Sequence, residues 1–138
     1  VESRGLGDVY KRQVMDPWIN VVQAFIAVAM FDVWLFRYNR PQRARGGDAQ
    51  TMEEEFRVYG LPDWFRNVVR VLKLCAGTLM VVGIWVPQAA LAAGVALVIL
   101  MGGAIVMHIK VRDPIFKSIP ATTFFVLSGL VMLDHWPV

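Results

Sequence analysis

This chain is short of the residues from which most enzymes build a centre. It contains one cysteine, Cys75, and two histidines, His108 and His135. A single cysteine excludes an intramolecular disulfide and any CxxC redox pair. Cys75 lies in an apolar run, where a lone cysteine reads as a small hydrophobe. No two His, Cys or acidic residues stand at ligand spacing, so no metal is expected. Phosphate-binding G-x-x-x-x-G-K-S/T, nucleophile-elbow G-x-S-x-G and zinc-binding H-E-x-x-H motifs are all missing, which removes three large enzyme classes that carry signatures. Charge is scarce as well. Only 18% of the chain is Asp, Glu, Lys or Arg, and its placement matters more than its net value of +3.

Apolar residues fill the gap. They make up 57% of the chain, against about 45–50% in an average soluble domain, and they lie in long runs. The longest extends from Leu74 to Met107. As one helix it would reach about 51 Å, far beyond a hydrocarbon core of about 30 Å. Pro87 is the natural place to fold it into two antiparallel spans. Four spans result, at about 17–36, 64–86, 88–108 and 119–135. Asp16-Pro17 opens the first, with proline in the first helical turn. Trp18 and Trp34 sit near its ends as an aromatic belt would require. Trp64 and Trp85 bracket the second, about 31 Å apart along a helix. The third is rich in small residues: Ala89, Ala93, Ala96 and Gly103 near one face, with Ala90, Gly94 and Ala104 on the next. Such residues let helices approach closely in lipid. Thr122, Thr123 and Ser128 dilute the fourth, and Trp136 anchors its end. The expected architecture is an all-α, polytopic membrane four-helix bundle.

The connections alternate between rich and poor in Lys and Arg. The first carries Arg37, Arg40, Arg43, Arg45 and Arg57, and the third carries Lys110, Arg112 and Lys117; the second has none. The positive-inside rule therefore assigns connections 37–63 and 109–118 to the cytoplasm, and both native termini to the outside. Such an arginine cluster beside a span sets topology or touches anionic lipid; it does not indicate nucleic acid. Within the first connection, Thr51 and Glu54 have capping-box spacing, and Gly60 ends the short helix they start. Met52, Phe56 and Tyr59 share one face of it. That face is fit to lie on the membrane surface or on the end of the bundle.

Ionisable residues at membrane depth are candidate functional groups. Asp32 lies roughly 7 Å inside the cytoplasmic boundary marked by Arg37, and Lys73 roughly 13 Å past Trp64. Arg66, Arg70, Lys73 and Gly77 fall on one helix face. His108 closes the third span at the same leaflet. Asp32, Arg70, Lys73 and His108 thus form a candidate polar pocket, with Asp32 paired to Lys73 or Arg70 and His108 able to exchange protons near neutrality. The same residues also read as an ion pair that pins helix register. Asn20 and Gln23, in the outer half of the first span, are secondary polar candidates, for interhelical hydrogen bonds or for an outward-facing ligand contact. Paired-histidine haem ligation is not expected, because His108 and His135 end on opposite sides.

The segment 1–14 reads differently. Its end, Gly7-Asp8-Val9-Tyr10-Lys11-Arg12-Gln13, resembles translated sequencing-adapter read-through, which would make Met15 the native start. A genuine cytosolic tail is the alternative. The first span lacks the basic leader and cleavage site of a secretory signal.

Several motifs carry a family resemblance. Tyr59-Gly-Leu-Pro-Asp-Trp-Phe, Leu72-Lys73-Leu74, Val82-Gly-Ile-Trp-Val-Pro87 and Met101-Gly-Gly-Ala-Ile-Val-Met-His108, followed by Asp113-Pro114, resemble the DoxX-like membrane proteins over the whole of 15–138. Arg45-Gly-Gly-Asp-Ala-Gln-Thr-Met52 is similar to one subgroup. The resemblance implies a single four-helix domain in a bacterial inner membrane. It further implies an accessory role in a redox-related assembly, with a quinone or lipid as ligand and a membrane or peripheral redox protein as partner. Lys73 and His108 match recurring family positions, without a transferable catalytic role. No resident cofactor and no independent catalytic activity are expected. An isomerase or quinone-linked oxidoreductase using Asp32 and His108 is the enzymatic alternative, and an assembly factor docking through small-residue faces is the structural one.

Overall fold

A computed structural model of the chain describes residues 17–137; the segment 1–14 lies outside them. The described residues are helical, with no strand. Helix α1 spans Pro17–Phe31 and continues through one π turn, Asp32–Phe36. The short α2 spans Met52–Tyr59, α3 Asp63–Val82, α4 Pro87–Lys110 and α5 Ile115–Asp134. The four long helices pack in a ring, α1 on α3, α3 on α4, α4 on α5 and α5 on α1. The α4–α5 contact is the most extensive and the α5–α1 contact the least. Short connections, 83–86 and 111–114, fold neighbouring helices back on one another.

Local sequence explains most boundaries. Pro87 occupies the first turn of α4, where its missing N–H costs nothing. The Thr51 hydroxyl accepts from the Glu54 N–H at 3.2 Å, and Gly60, at φ +79°, closes α2 in the left-handed conformation. The fourth span starts earlier than expected, at Ile115. Pro114 ends the preceding turn there, and Pro120 is absorbed inside the helix.

Helices α4, α5 and the α1 segment Pro17–Phe36 are each long and apolar enough to cross a membrane. Helix α3 is of similar length but carries Asp63, Arg66, Arg70 and Lys73 in its first eleven residues. Apolar side chains such as Val21, Phe25, Val71, Ile99, Val106 and Leu133 cover the outside of the bundle. In water a continuous surface of that kind would drive association; lipid is its natural solvent.

Two apolar clusters divide the interior. One, toward the 83–86 turn and called outer, joins Ile19, Ile26, Met80, Ala90, Leu97 and Val131; the other, toward the 111–114 turn and called inner, joins Trp34, Tyr38, Met52, Phe56 and Val69. Small residues allow the outer cluster to close tightly. A methyl group on Gly83 would stand 2.6 Å from the Ala90 Cα, and one on Gly94 would stand 3.0 Å from the Met132 Cα. Two sequence expectations need correction. Trp34 is not an interfacial anchor: it is buried, whereas Trp18, Trp64, Trp85 and Trp136 are exposed. Cys75 is exposed on α3, facing away from the core.

Candidate binding cavity

The inner half of the bundle encloses a cavity of about 390 Å³. Trp34 of α1, Phe65, Val69 and Lys73 of α3, Leu100 and His108 of α4, and Ala121 and Phe124 of α5 form its walls. Arg45, Met52, Glu55, Phe56 and Tyr59, from the first connection, cover it. Ile99, Gly103 and Pro120 belong to the lining and are also exposed. The cavity is therefore a cleft that reaches the lipid-facing surface.

The π turn prepares the α1 wall. The Arg37 N–H donates to the Asp32 carbonyl at 2.8 Å, five residues back. One extra residue in the turn changes the rotation of the side chains around it, and Trp34 points inward. Its ring meets Phe56 edge-on at 6.1 Å.

Arg45 organises the cover. Its side chain is 2% exposed, so its charge has to be met within the protein. It donates to the carbonyls of Arg37, Tyr38 and Arg40 and to the Glu55 carboxylate at 3.1 Å. The Tyr59 hydroxyl donates to the other Glu55 oxygen at 2.6 Å. Burial first, and the Glu55 charge second, push the Tyr59 phenol well above its ordinary pKa. Gly46 has to be glycine, because a Cβ there would lie 2.5 Å from the Tyr59 ring. The amphipathic face of α2 thus rests on the end of the bundle, and Met52, Phe56 and Tyr59 are buried.

A second polar system ties that cover to the α4–α5 turn. One Asp113 oxygen lies 2.7 Å from the His108 Nδ1, and the other accepts the Gly47 N–H at 2.9 Å. Lys117 donates to the Gly47 carbonyl and stands 4.0 Å from Asp113. Lys110 donates to the Tyr59 carbonyl at 2.8 Å. Burial opposes the Asp113 charge. The hydrogen bonds from His108 and Gly47, with the nearby Lys117 charge, outweigh it and hold this carboxyl below the usual range.

The four residues expected to share one pocket separate into two pairs. Lys73 and His108 line the cavity. Arg70 and Asp32 do not. Arg70 donates to the Trp34 carbonyl at 3.2 Å and lies 4.4 Å over the Tyr38 ring, so it braces α1 against α3 from outside the lining. Asp32 pairs with Arg37 at 2.8 Å, half exposed, and not with Lys73 or Arg70. The π register stacks residue 37 over residue 32 and makes that local pair. The Lys73 ammonium sits 4.7 Å over the Trp34 ring. In the outer half, Gln23 is fully buried and donates to the Met80 carbonyl at 3.0 Å. Asn20, one turn earlier, is half-buried and away from the cavity lining.

The profile of the DoxX-like family matches residues 44–131. The chain belongs to that family. The matched stretch takes in most of the cover, α3, α4 and most of α5; α1, which supplies Trp34, lies before it. A curated relative from Bacillus subtilis (strain 168), "Uncharacterized protein YdgD", is 35% identical over 84 residues, spanning 60% of this chain and 74% of the relative. No solved structure matches significantly. Family membership and three apolar helices of spanning length make this DoxX-like chain an integral membrane protein.

Proposed function

We propose that this protein holds a small apolar ligand, a quinone or a lipid, in the covered cleft, as an accessory component of a redox-related assembly in a bacterial inner membrane. One observation carries the reading: a cavity of about 390 Å³ opens toward lipid and is mostly apolar inside, with a few convergent polar groups. That is the usual character of a small-molecule site, and its size is near the low end of the customary range of roughly 300–1,000 Å³. A single domain fits it, since α1, α3, α4, α5 and the cover all contribute walls.

The orientation follows from charge. Lys110 and Lys117 reach the first connection at Tyr59 and Gly47. Both basic connections therefore sit at one end of the bundle, which the positive-inside rule assigns to the cytoplasm. The opposite end, with Pro17 and His135, then lies outside. The enzymatic alternative through Asp32 and His108 loses support from the difference between their settings: Asp32 is engaged locally by Arg37, outside the lining.

The test is extraction in mild detergent followed by mass spectrometry of bound small molecules. A quinone or lipid should accompany the wild-type protein at near-stoichiometric level. Ala104→Phe, which fills the lining, should reduce it at least tenfold while the helical content is kept. A wild-type protein that carries no apolar molecule, or an Ala104→Phe protein that carries as much, overturns the reading.

A further inference from the structure

The charges around the cleft do not cancel. Its lining holds the side chains of Arg45, Glu55, Lys73 and Lys117 and the His108 ring. Arg45 and Glu55 neutralise each other at 3.1 Å. Asp113, just behind the lining, faces both Lys117 and His108. Lys73 is left over. It is 8% exposed, makes no hydrogen bond or ion pair among the described residues, and rests on the face of Trp34, with Glu55, already engaged by Arg45 and Tyr59, acting on it only at longer range. A ring face satisfies a cation in part. A buried ammonium without a direct ion pair is costly, because it has exchanged its hydration for little. An ammonium also offers three donors on a flexible stem, suited to a compact oxyanion.

Resting on the cleft reading above, we propose that the ligand is a single-chain amphiphile with a singly charged oxyanion head, ion-paired to Lys73. One negative charge on the head answers the ammonium of Lys73. The apolar chain lies against Leu100 and Phe124 and leaves past the exposed Ile99 and Gly103 into the bilayer. A methyl group added at Gly103 would meet nothing within 4 Å, so this edge is open. A cavity of about 390 Å³ suits one chain and a small head better than a whole two-chain lipid. The head can be the carboxylate of a free fatty acid or the phosphodiester of a lysophospholipid; both present one negative oxyanion.

The experiment is equilibrium binding of radiolabelled palmitate to the full chain in neutral detergent, with unlabelled competitors. Palmitate should bind saturably, and hexadecanol and a short-chain ubiquinone should compete at least tenfold more weakly. Competition by lysophosphatidylglycerol above or below that of palmitate identifies which source of the head is preferred. Lys73→Met should weaken palmitate at least tenfold and leave hexadecanol within twofold, and Lys73→Arg should stay within threefold of wild type. Hexadecanol or the quinone matching palmitate on wild-type protein overturns the charged head while leaving the apolar cleft standing. No saturable binding by any of them, together with no ligand in the extraction experiment, removes both. If Lys73→Met fails to fold, the wild-type competition series alone decides.

Discussion

The two halves of this bundle are held together by opposite means. In the outer half, backbones come close: Gly83 against Ala90, Gly94 against Met132, with Met80, Leu97 and Val131 completely buried. Lipid offers no hydrophobic drive between helices, so packing of this quality has to supply the cohesion. In the inner half the helices surround a cleft. A polar cover closes it, fastened by Arg45 on one side and Asp113 on the other. The tight half fixes the helix positions, and the fastened half can then leave a cavity without collapse. Space for a ligand is compatible with stability here because the load is carried elsewhere in the same four helices.

The largest effect expected from breaking this contrast is at Gly83. Gly83→Ala places a methyl group 2.6 Å from Ala90 backbone atoms, where nothing flexible can yield. Overpacking should cost about 3 kcal/mol, read as a large fall in thermal midpoint in detergent. A wild-type midpoint would remove close packing as the source of cohesion. Asp113→Ala comes next. It strands the Gly47 N–H and the His108 ring, at a cost of about 2 kcal/mol, and should speed amide exchange at Gly47 without affecting the outer helices. The pH dependence has a definite sign. Asp113 is held below the usual carboxylate value of about 3.9, so its contribution is complete above that value and is lost as pH falls through the lower folded value. Protection at Gly47 should decline in that acid window in the wild type and stay flat in Asp113→Ala. The smallest effect belongs to Gly103→Ala. Its methyl group meets open space, so helix propensity alone should stabilise the protein by about 0.5–1 kcal/mol. Destabilisation at Gly103 would mean that the inner half is as closely packed as the outer.

The contrast also marks how far the sequence could be read. Features set by neighbours in sequence were legible: the Thr51–Glu54 cap, the Gly60 stop, the fold-back before Pro87 and the alternation of basic connections. The shared depth of Lys73 and His108 was legible because depth along a helix depends only on residue count. Asp32 was not, because its partner depends on the helix register, and a π turn shifts that register by one residue. Nothing near Asp32 signals such a turn. Arg45 looked like one of several topogenic arginines; its burial depends on how residues 37–55 fold over one side chain. Asp113 binds Gly47 across 66 residues. Only the pairing of Gly46-Gly47 with Asp113-Pro114, both turn formers, hints that two turns could meet.

The π turn at Asp32–Phe36 gives the inward half of the first span an asymmetric tolerance of length change. Deleting Leu35 would close the turn to an ordinary α turn and keep the residues from Arg37 onward in phase, whereas adding a residue before Trp34 would swing every later side chain by about 100°. Trp34 would be carried toward lipid, and the carbonyls of Arg37, Tyr38 and Arg40 would leave the guanidinium they surround. The chain can therefore lose a residue here at less cost than it can gain one.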